Sequence, residues 1–245
     1  MAAFVVWYSQ ENRWRLDLEI SKVDSFVVGM MSTIAPGLLI VSIVILSVLT
    51  AHSLFIKNSN SNSKPSWTVN LMYGALFGFG YSASFLFLAF NVYHTGAMKP
   101  LIYGVAALKV AMFVGVGIFV LVKALRYFTQ KQVSAGSTSA ILGLGLSGLF
   151  GLVIGLTVAP PIGSTLGLLL SQVATGNEGA GALIVYSFGV VVALMLFSFT
   201  IGSFAQLIGR WPKATSFFGG TFSGLMIIFG VVGAYSLYLN LVSAG

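Results

Sequence analysis

The chain contains no cysteine among its 245 residues. Disulfide bonds, thiolate metal sites and thiol redox chemistry by the chain itself are therefore excluded, whatever compartment it occupies. Charged residues are also scarce, at 7% of the chain, where an average soluble domain has roughly 25%. Hydrophobic residues make up 57%. This balance predicts a polytopic membrane protein whose main surroundings are the lipid bilayer.

Six apolar runs are long enough to cross the roughly 30 Å hydrocarbon core, which takes about 20 residues. Short connectors rich in Gly, Pro, Ser and Asn separate these runs. We therefore expect an all-α protein with one transmembrane domain over residues 25–245. The predicted spans are Ser25–Thr50, Thr68–Val92, Leu101–Leu125, Ser139–Val158, Ala180–Leu207 and Ser216–Leu241.

The distribution of basic residues predicts the orientation of the chain. Most of its twelve lysines and arginines follow spans one, three and five, and the positive-inside rule then places both termini outside, in the cell (plasma) membrane; a thylakoid membrane is the open alternative. Residues 1–24 mix aromatic and charged side chains over too short a length to span, which predicts an amphipathic segment at the outer interface. Docking of this segment on a partner is the alternative. The basic residues form no stripe, so nucleic-acid binding is not predicted.

Two predicted spans are interrupted by the same kind of motif. Residues 29–40 read GMMSTIAPGLLI in span one, and residues 157–165 read TVAPPIGST in span four. Proline inside a helix removes a hydrogen bond and clashes with the preceding turn. One such site is a common kink, but corresponding breaks in two halves indicate an inverted repeat around a central site. The predicted repeats are residues 25–127 and 138–241.

The two motifs resemble those of the CcdA and DsbD membrane electron transporters of the cytochrome c biogenesis family. The first is similar to a small-residue approach leading to Ser-Pro-Cys, and APPIGSTLGLLL is similar to the Thr-Pro-Cys-Ile-Gly-Pro motif of the fourth helix. The last two spans also resemble the fifth and sixth family helices, so the likeness covers about residues 25–241. It implies two inverted three-helix repeats that pass reducing equivalents across the membrane, with one cysteine from each motif.

Under this resemblance the scaffold is kept and the thiols are missing. Pro36 and Pro160 match the motif prolines, and Gly37 and Pro161 fall at the cysteine positions. Neither glycine nor proline can supply a nucleophilic thiolate. Ile40 and Ser164 replace the trailing prolines, while Ile162 and Gly163 are retained. The predicted broken-helix site comprises Ala35, Pro36, Gly37, Ala159, Pro160, Pro161 and Gly163.

Other candidate residues were weighed against structural roles. Lys109, well inside span three, is either a functional intramembrane charge or a lysine that extends to the interface. His52 and His94 fall at opposite faces, so no metal or cofactor is predicted. Met30 and Met31 suit packing better than copper(I). The glycines at 74/78, 151/155 and 143/145/148 predict close helix contacts.

These observations predict a non-catalytic structural or assembly subunit of a membrane redox or other complex, bound to other membrane subunits. The alternative is an alternating-access transporter of a small solute or ion that uses the paired breaks. Thiol electron transfer is a third hypothesis, and it requires a bound cofactor or a partner's cysteines. No aspartate lies in any predicted span, so Ser-His-Asp catalysis has no members and no enzyme is expected.

Overall fold

A computed structural model of the chain describes residues 22–59, 67–91, 98–129, 138–157 and 179–244. Every regular element in these ranges is an α-helix, which confirms the all-α prediction for them. In chain order the helices are α1 (Lys22–Ser32), α2 (Pro36–Ser59), α3 (Trp67–Asn91), α4 (Met98–Phe128), α5 (Thr138–Thr157), α6 (Gly179–Ile208) and α7 (Pro212–Ala244).

The membrane character of the chain is carried by long apolar helices. Within the described ranges, four stretches are long and apolar enough to cross a bilayer: Pro36–Phe55, Tyr103–Phe128, Gly181–Ile208 and Pro212–Val242. A shorter apolar stretch, Leu142–Thr157, belongs to α5. Because a helix rises about 1.5 Å per residue, each of the four long stretches covers the roughly 30 Å hydrocarbon core.

Helix bounds follow the predicted spans to within about four residues, except in the first span. That span is two helices, α1 and α2, separated at residues 33–35. Helix α1 also begins at Lys22, inside the segment predicted to end at residue 24. Residues 1–21, which hold the rest of the predicted interfacial segment, lie outside the described ranges.

Helix α2 is the central helix of the bundle. Within an 18-residue window of its apolar stretch 72% of the residues are buried, against 11% for α7 and 22% for α4. It packs against α3, α4, α5, α6 and α7, whereas α1 contacts α6. Its buried side chains include Leu38, Ile45, Leu49 and Phe55. The second half of the first span therefore forms the core around which the other helices are arranged.

Glycines let three helix pairs approach to backbone contact. A Cβ on Gly151 of α5 would overlap the carbonyl oxygen of Phe77 on α3, and one on Gly74 of α3 would lie 2.5 Å from the Leu194 oxygen on α6. Gly189 of α6 meets the carbonyl of Phe26 on α1 in the same way. Small residues are enriched at membrane helix interfaces because helices associate there through close packing. The predicted contact role of the glycine pairs at 74/78 and 151/155 is confirmed, whereas Gly145 of the 143/145/148 set meets no described atom within 4 Å.

Candidate functional site at the break in the first span

The break between α1 and α2 is set by one proline. Pro36 has no N–H to donate to Ser32, and its ring disfavours helical geometry at Ala35. Proline is also well suited to the first position of a helix. Helix α1 accordingly ends at Ser32, and Pro36 is the first residue of α2. The first predicted span is therefore interrupted at residues 33–35.

Tight hydrogen bonds carry the chain through residues 33–35. The backbone amides of Thr33, Ile34 and Ala35 donate to the carbonyls three residues earlier, at 3.3, 3.1 and 3.4 Å. Two side chains bond in the same direction. Ser32 Oγ donates to the Gly29 carbonyl at 2.7 Å, and Thr33 Oγ1 donates to the Met30 carbonyl at 2.6 Å. These bonds satisfy the last carbonyls of α1, so the break is a defined turn.

The first residues of α2 leave backbone N–H groups without helical acceptors next to the break. Pro36 has no N–H, and the amides of Gly37 and Leu38 are too near the helix start to find an acceptor within it. Neither amide donates to a backbone carbonyl elsewhere in the described part of the chain. The Leu38 side chain is buried, while Gly37 is exposed. A Cβ built on Gly37 meets no described atom within 4 Å.

The inner side of the break rests on α6. A Cβ on Gly29 would overlap the carbonyl oxygen of Tyr186, so α1 and α6 touch at this point. The Ser32 side chain lies within interaction range of the Tyr186 hydroxyl, and Tyr81 from α3 lies near the same tyrosine. Ser32, Tyr81 and Tyr186 are all buried. The break is therefore backed by hydroxyl groups from three helices.

The second predicted break falls just beyond a described helix. Helix α5 ends at Thr157, two residues before the Ala-Pro pair. Thr157 Oγ1 donates to the Val153 carbonyl at 2.8 Å, as Thr33 does one turn back in α1. The predicted site residues Ala159, Pro160, Pro161 and Gly163 lie outside the described ranges. Whether the two breaks meet at a central site therefore stays a prediction.

Lys109 lies on α4 and is half-buried. Its neighbour Val110 contacts α7, where a Cβ on Gly233 would lie 3.4 Å from Val110 Cγ2. Across the described residues, Lys109 forms no hydrogen bond or ion pair. Helix α4, which carries Lys109, packs on α2, α5 and α7, and within the described ranges it has no contact with α1. A functional role for Lys109 therefore stays a prediction.

A second polar site escaped the sequence analysis. Lys123 Nζ of α4 lies 3.3 Å from Nδ1 of His52 on α2, and 4.5 Å from the ring centroid of Phe119. In the sequence, His52 lies just after predicted span one, and Lys123 lies near the end of predicted span three. Spans one and three run in the same direction across the membrane, so both residues are expected at the same face. Their pairing depends on α2 packing against α4, which the sequence does not reveal.

The chemistry available at the break is limited to backbone amides and hydroxyl groups. Residues 33–37 include no ionisable side chain and no thiol. No set of three His, Asp or Glu side chains close enough to hold a metal occurs within the described ranges. The break can therefore donate hydrogen bonds to a polar group, and its own side chains supply neither an acid–base catalyst nor a reactive nucleophile.

No protein-family model matches this chain, and no curated protein or solved structure matches it closely enough to count as a relative.

Proposed function

We propose that the chain is a non-catalytic subunit of a membrane complex, built on a CcdA/DsbD-like scaffold. The observation that carries this proposal is the first-span break itself. Pro36 starts a helix after a turn, and Gly37 stands at the position of the family's reactive cysteine, where an added Cβ would meet no described atom within 4 Å. The break has the shape needed to expose a thiol, and no thiol is present.

The helix pairing supports the inverted-repeat part of the proposal. If α1, α3 and α4 correspond to α5, α6 and α7, each contact should have a counterpart in the other half. Helix α1 packs on α6, and α5 packs on α3, which is the matching pair. The helices α3 and α6 pack together, as do α4 and α7. These pairings agree with a two-fold relation within the membrane plane, whereas the α4–α5 and α6–α7 contacts lack, among the described residues, the α1–α7 and α3–α4 counterparts that such a relation predicts.

The threonine before each break is a further point of agreement. Residues 33–36 read TIAP and residues 157–160 read TVAP. Thr33 and Thr157 both bond back to carbonyls of the last turn of the preceding helix. The proposal includes six spans, three in each half, because an odd number of spans in each half inverts the second half relative to the first. It also includes the outside termini and the plasma-membrane location.

The subunit role is inferred from the surface of α4 and α7. These two helices pack on each other and leave most of their surface uncovered. The apolar stretch of α7 is 31 residues long, so it extends about 46 Å and exceeds the roughly 30 Å hydrocarbon core. Tyr235 and Tyr238 are exposed near its end. A protein partner would cover the length of α7 that lipid tails do not match.

Cysteine substitution tests the scaffold, and a chain without native cysteines is well suited to it. The double variant Gly37→Cys with Pro161→Cys should form a disulfide under mild oxidation if the two breaks face each other. The matched control combines Gly37→Cys with Gly220→Cys. Gly219 contacts Ala51 of α2, about 21 Å of helix from Gly37, so this pair should stay reduced. Equal yields from both pairs, or none from the first, would count against the inverted repeat.

Purification from native membranes tests the subunit role separately. In a gentle detergent the intact protein should copurify with stoichiometric membrane partners, identified by mass spectrometry and by an absorption spectrum for haem or copper. Substituting the exposed Tyr235 and Tyr238 by alanine should weaken that association, whereas the exposed Phe199 of α6 serves as a control position. A solitary monomer under all conditions would refute the subunit role and leave the scaffold untouched.

An alternating-access transporter is the second candidate, and one observation favours it. The amides of Gly37 and Leu38 and the hydroxyls of Ser32 and Thr33 lie together at a break in a central helix. Helix breaks of this kind bind ions or small polar solutes in transporters. A thermal-stability screen over amino acids, anions and metal ions should reveal a stabilising solute. No shift with any of them would exclude this candidate. Thiol electron transfer would need a cofactor or thiols from another chain.

A further inference from the structure

The Lys123–His52 contact lies where four helices end together. The C-terminal turns of α2, α4 and α6 and the first turns of α7 form what we call the basic end of the bundle. Ser216 Oγ donates to the Ala124 carbonyl at 2.6 Å, which fixes the start of α7 beside Lys123. Leu54 of α2 lies beside Gly209, just after α6. Arg126, Arg210 and Lys213 are therefore placed at this end and are all exposed.

Lys123 is held in place without a counter-ion among the described residues. An ammonium group has three N–H donors. One faces Nδ1 of His52, whose side chain is only 2% exposed, and the group also lies over the ring of Phe119. No carboxylate pairs with Lys123 in the described part of the chain. The sequence has no acidic residue between Asp24 and Glu178.

The acid that precedes this gap belongs to another part of the bundle. Asp24 lies in the first turn of α1, beyond the break, and His52 is 16 residues, or about 24 Å, along α2 from Pro36. Glu178 lies outside the described residues. A partly desolvated cation without a nearby anion is costly, and an external anion would offset that cost.

The surroundings of Lys123 indicate the kind of anion. Large apolar side chains are exposed between the basic residues at this end, namely Leu125, Phe128, Trp211 and Phe217. Tryptophan and other aromatic residues favour the depth of lipid headgroups, and long basic side chains reach the same depth from within the membrane. A mixture of cations and exposed apolar groups fits a molecule with a charged head and an apolar body.

We propose that the basic end binds the phosphate of an anionic phospholipid, with Lys123 as the principal donor. His52 accepts one Lys123 N–H and thereby orients the other two toward the phosphate oxygens. Arg126 and Lys213 add exposed positive charge, and Trp211 contacts the glycerol and acyl region. This inference does not depend on the proposed subunit role, because it rests on the Lys123 site and the charge distribution alone.

Lipid retention in nanodiscs tests the site. The protein is embedded in equal parts of phosphatidylcholine and phosphatidylglycerol, released, and examined by native mass spectrometry for bound lipid. The wild-type chain should retain phosphatidylglycerol selectively. The Lys123→Gln variant should lose that selectivity about tenfold or more, as expected for one charge-assisted hydrogen-bonding group. Lys123→Arg should retain most of it, because the charge and donors remain.

The controls separate a specific site from general attraction and from free phosphate. Lys109→Gln removes the same charge from the same helix about 21 Å away, and it should leave selectivity unchanged. An equal loss in Lys109→Gln would overturn the site. Equal retention of both lipids by the wild-type chain would also overturn it, and that measurement needs no variant. Free phosphate is tested with the protein in phosphatidylcholine nanodiscs. If inorganic phosphate raised the melting temperature as much as phosphatidylglycerol does, a lipid ligand would be refuted.

Discussion

The contact between α3 and α5 gives the most direct test of the fold. A Cβ added at Gly151 would overlap the carbonyl oxygen of Phe77 and lie 2.8 Å from its carbonyl carbon and 2.9 Å from the Tyr81 nitrogen. All three atoms belong to a helix backbone, so no side chain can move aside. The carbonyl carbon alone requires a shift of about 0.6 Å to reach the 3.4 Å of ordinary van der Waals contact. The Gly151→Ala substitution must therefore push the two helices apart.

The expected loss of stability follows from this overpacking. Extra methyl groups in a well-packed interior typically cost about 1–3 kcal/mol. For a domain of this size, about 2–4 °C of melting temperature corresponds to each kcal/mol, so a decrease of roughly 2–12 °C is expected. Helix α5 supplies its own control. Gly145 meets nothing within 4 Å among the described residues, and alanine there gains up to about 1 kcal/mol of helix propensity.

Circular dichroism melting in one detergent, at 222 nm, measures both variants. Gly151→Ala should melt below the wild-type chain, and Gly145→Ala should melt at the same temperature or higher. If the two variants melted alike, the close α3–α5 crossing would be wrong. A lower melting temperature for Gly145→Ala alone would indicate that α5 presents its other face to the bundle.

Three further outcomes are expected from single substitutions. Ser147→Ala removes the 2.6 Å bond to the Tyr73 carbonyl and should lower the free energy of unfolding by about 0.6–1.7 kcal/mol, measured by the same melting assay; no change would mean that the bond is replaced. Gly37→Cys should react with a maleimide much faster than Leu38→Cys, because Gly37 is exposed and Leu38 is buried; equal rates in the folded protein would place Gly37 inside the bundle. Lys109→Met should leave the melting temperature unchanged or raise it, because a half-buried charge is costly; a fall would reveal a favourable partner for this lysine.

Helix positions could be predicted because the boundaries between apolar runs and connectors are clear in this sequence. Apolar runs of the right length alternate with polar connectors, and proline marks where the first span breaks. The end of α5 at Thr157 was predicted within one residue for the same reason. The resemblance to the CcdA and DsbD transporters rests on the two proline motifs, and it stays a proposal because the second motif lies outside the described ranges.

The order of burial could not be predicted from the sequence. Apolar residues surround each of these helices on all sides, so no polar stripe marks which face meets lipid and which meets protein. Helix α2 is central and α7 peripheral, although both are strongly apolar. The Lys123–His52 contact could not be predicted for the same reason, because it requires α2 and α4 to be neighbours. Only the glycine spacing carried some of that information: it predicted faces of close approach, and the structure shows that those faces join α3 to α5 and α6.

The two helices of the first predicted span, α1 and α2, pack against different parts of the bundle. Helix α1 lies on α6 through Gly29, while α2 enters the centre and contacts five helices. A continuous helix could not follow both courses if their directions differ, and proline at the first position of α2 permits a turn without leaving unpaired carbonyls at the end of α1. The packing of α1 on α6 and of α2 in the centre is therefore one reason for a turn at this position. A solute site at Gly37 needs support beyond the break, and the stabilisation screen supplies that test, whereas the subunit proposal requires only that the scaffold be kept.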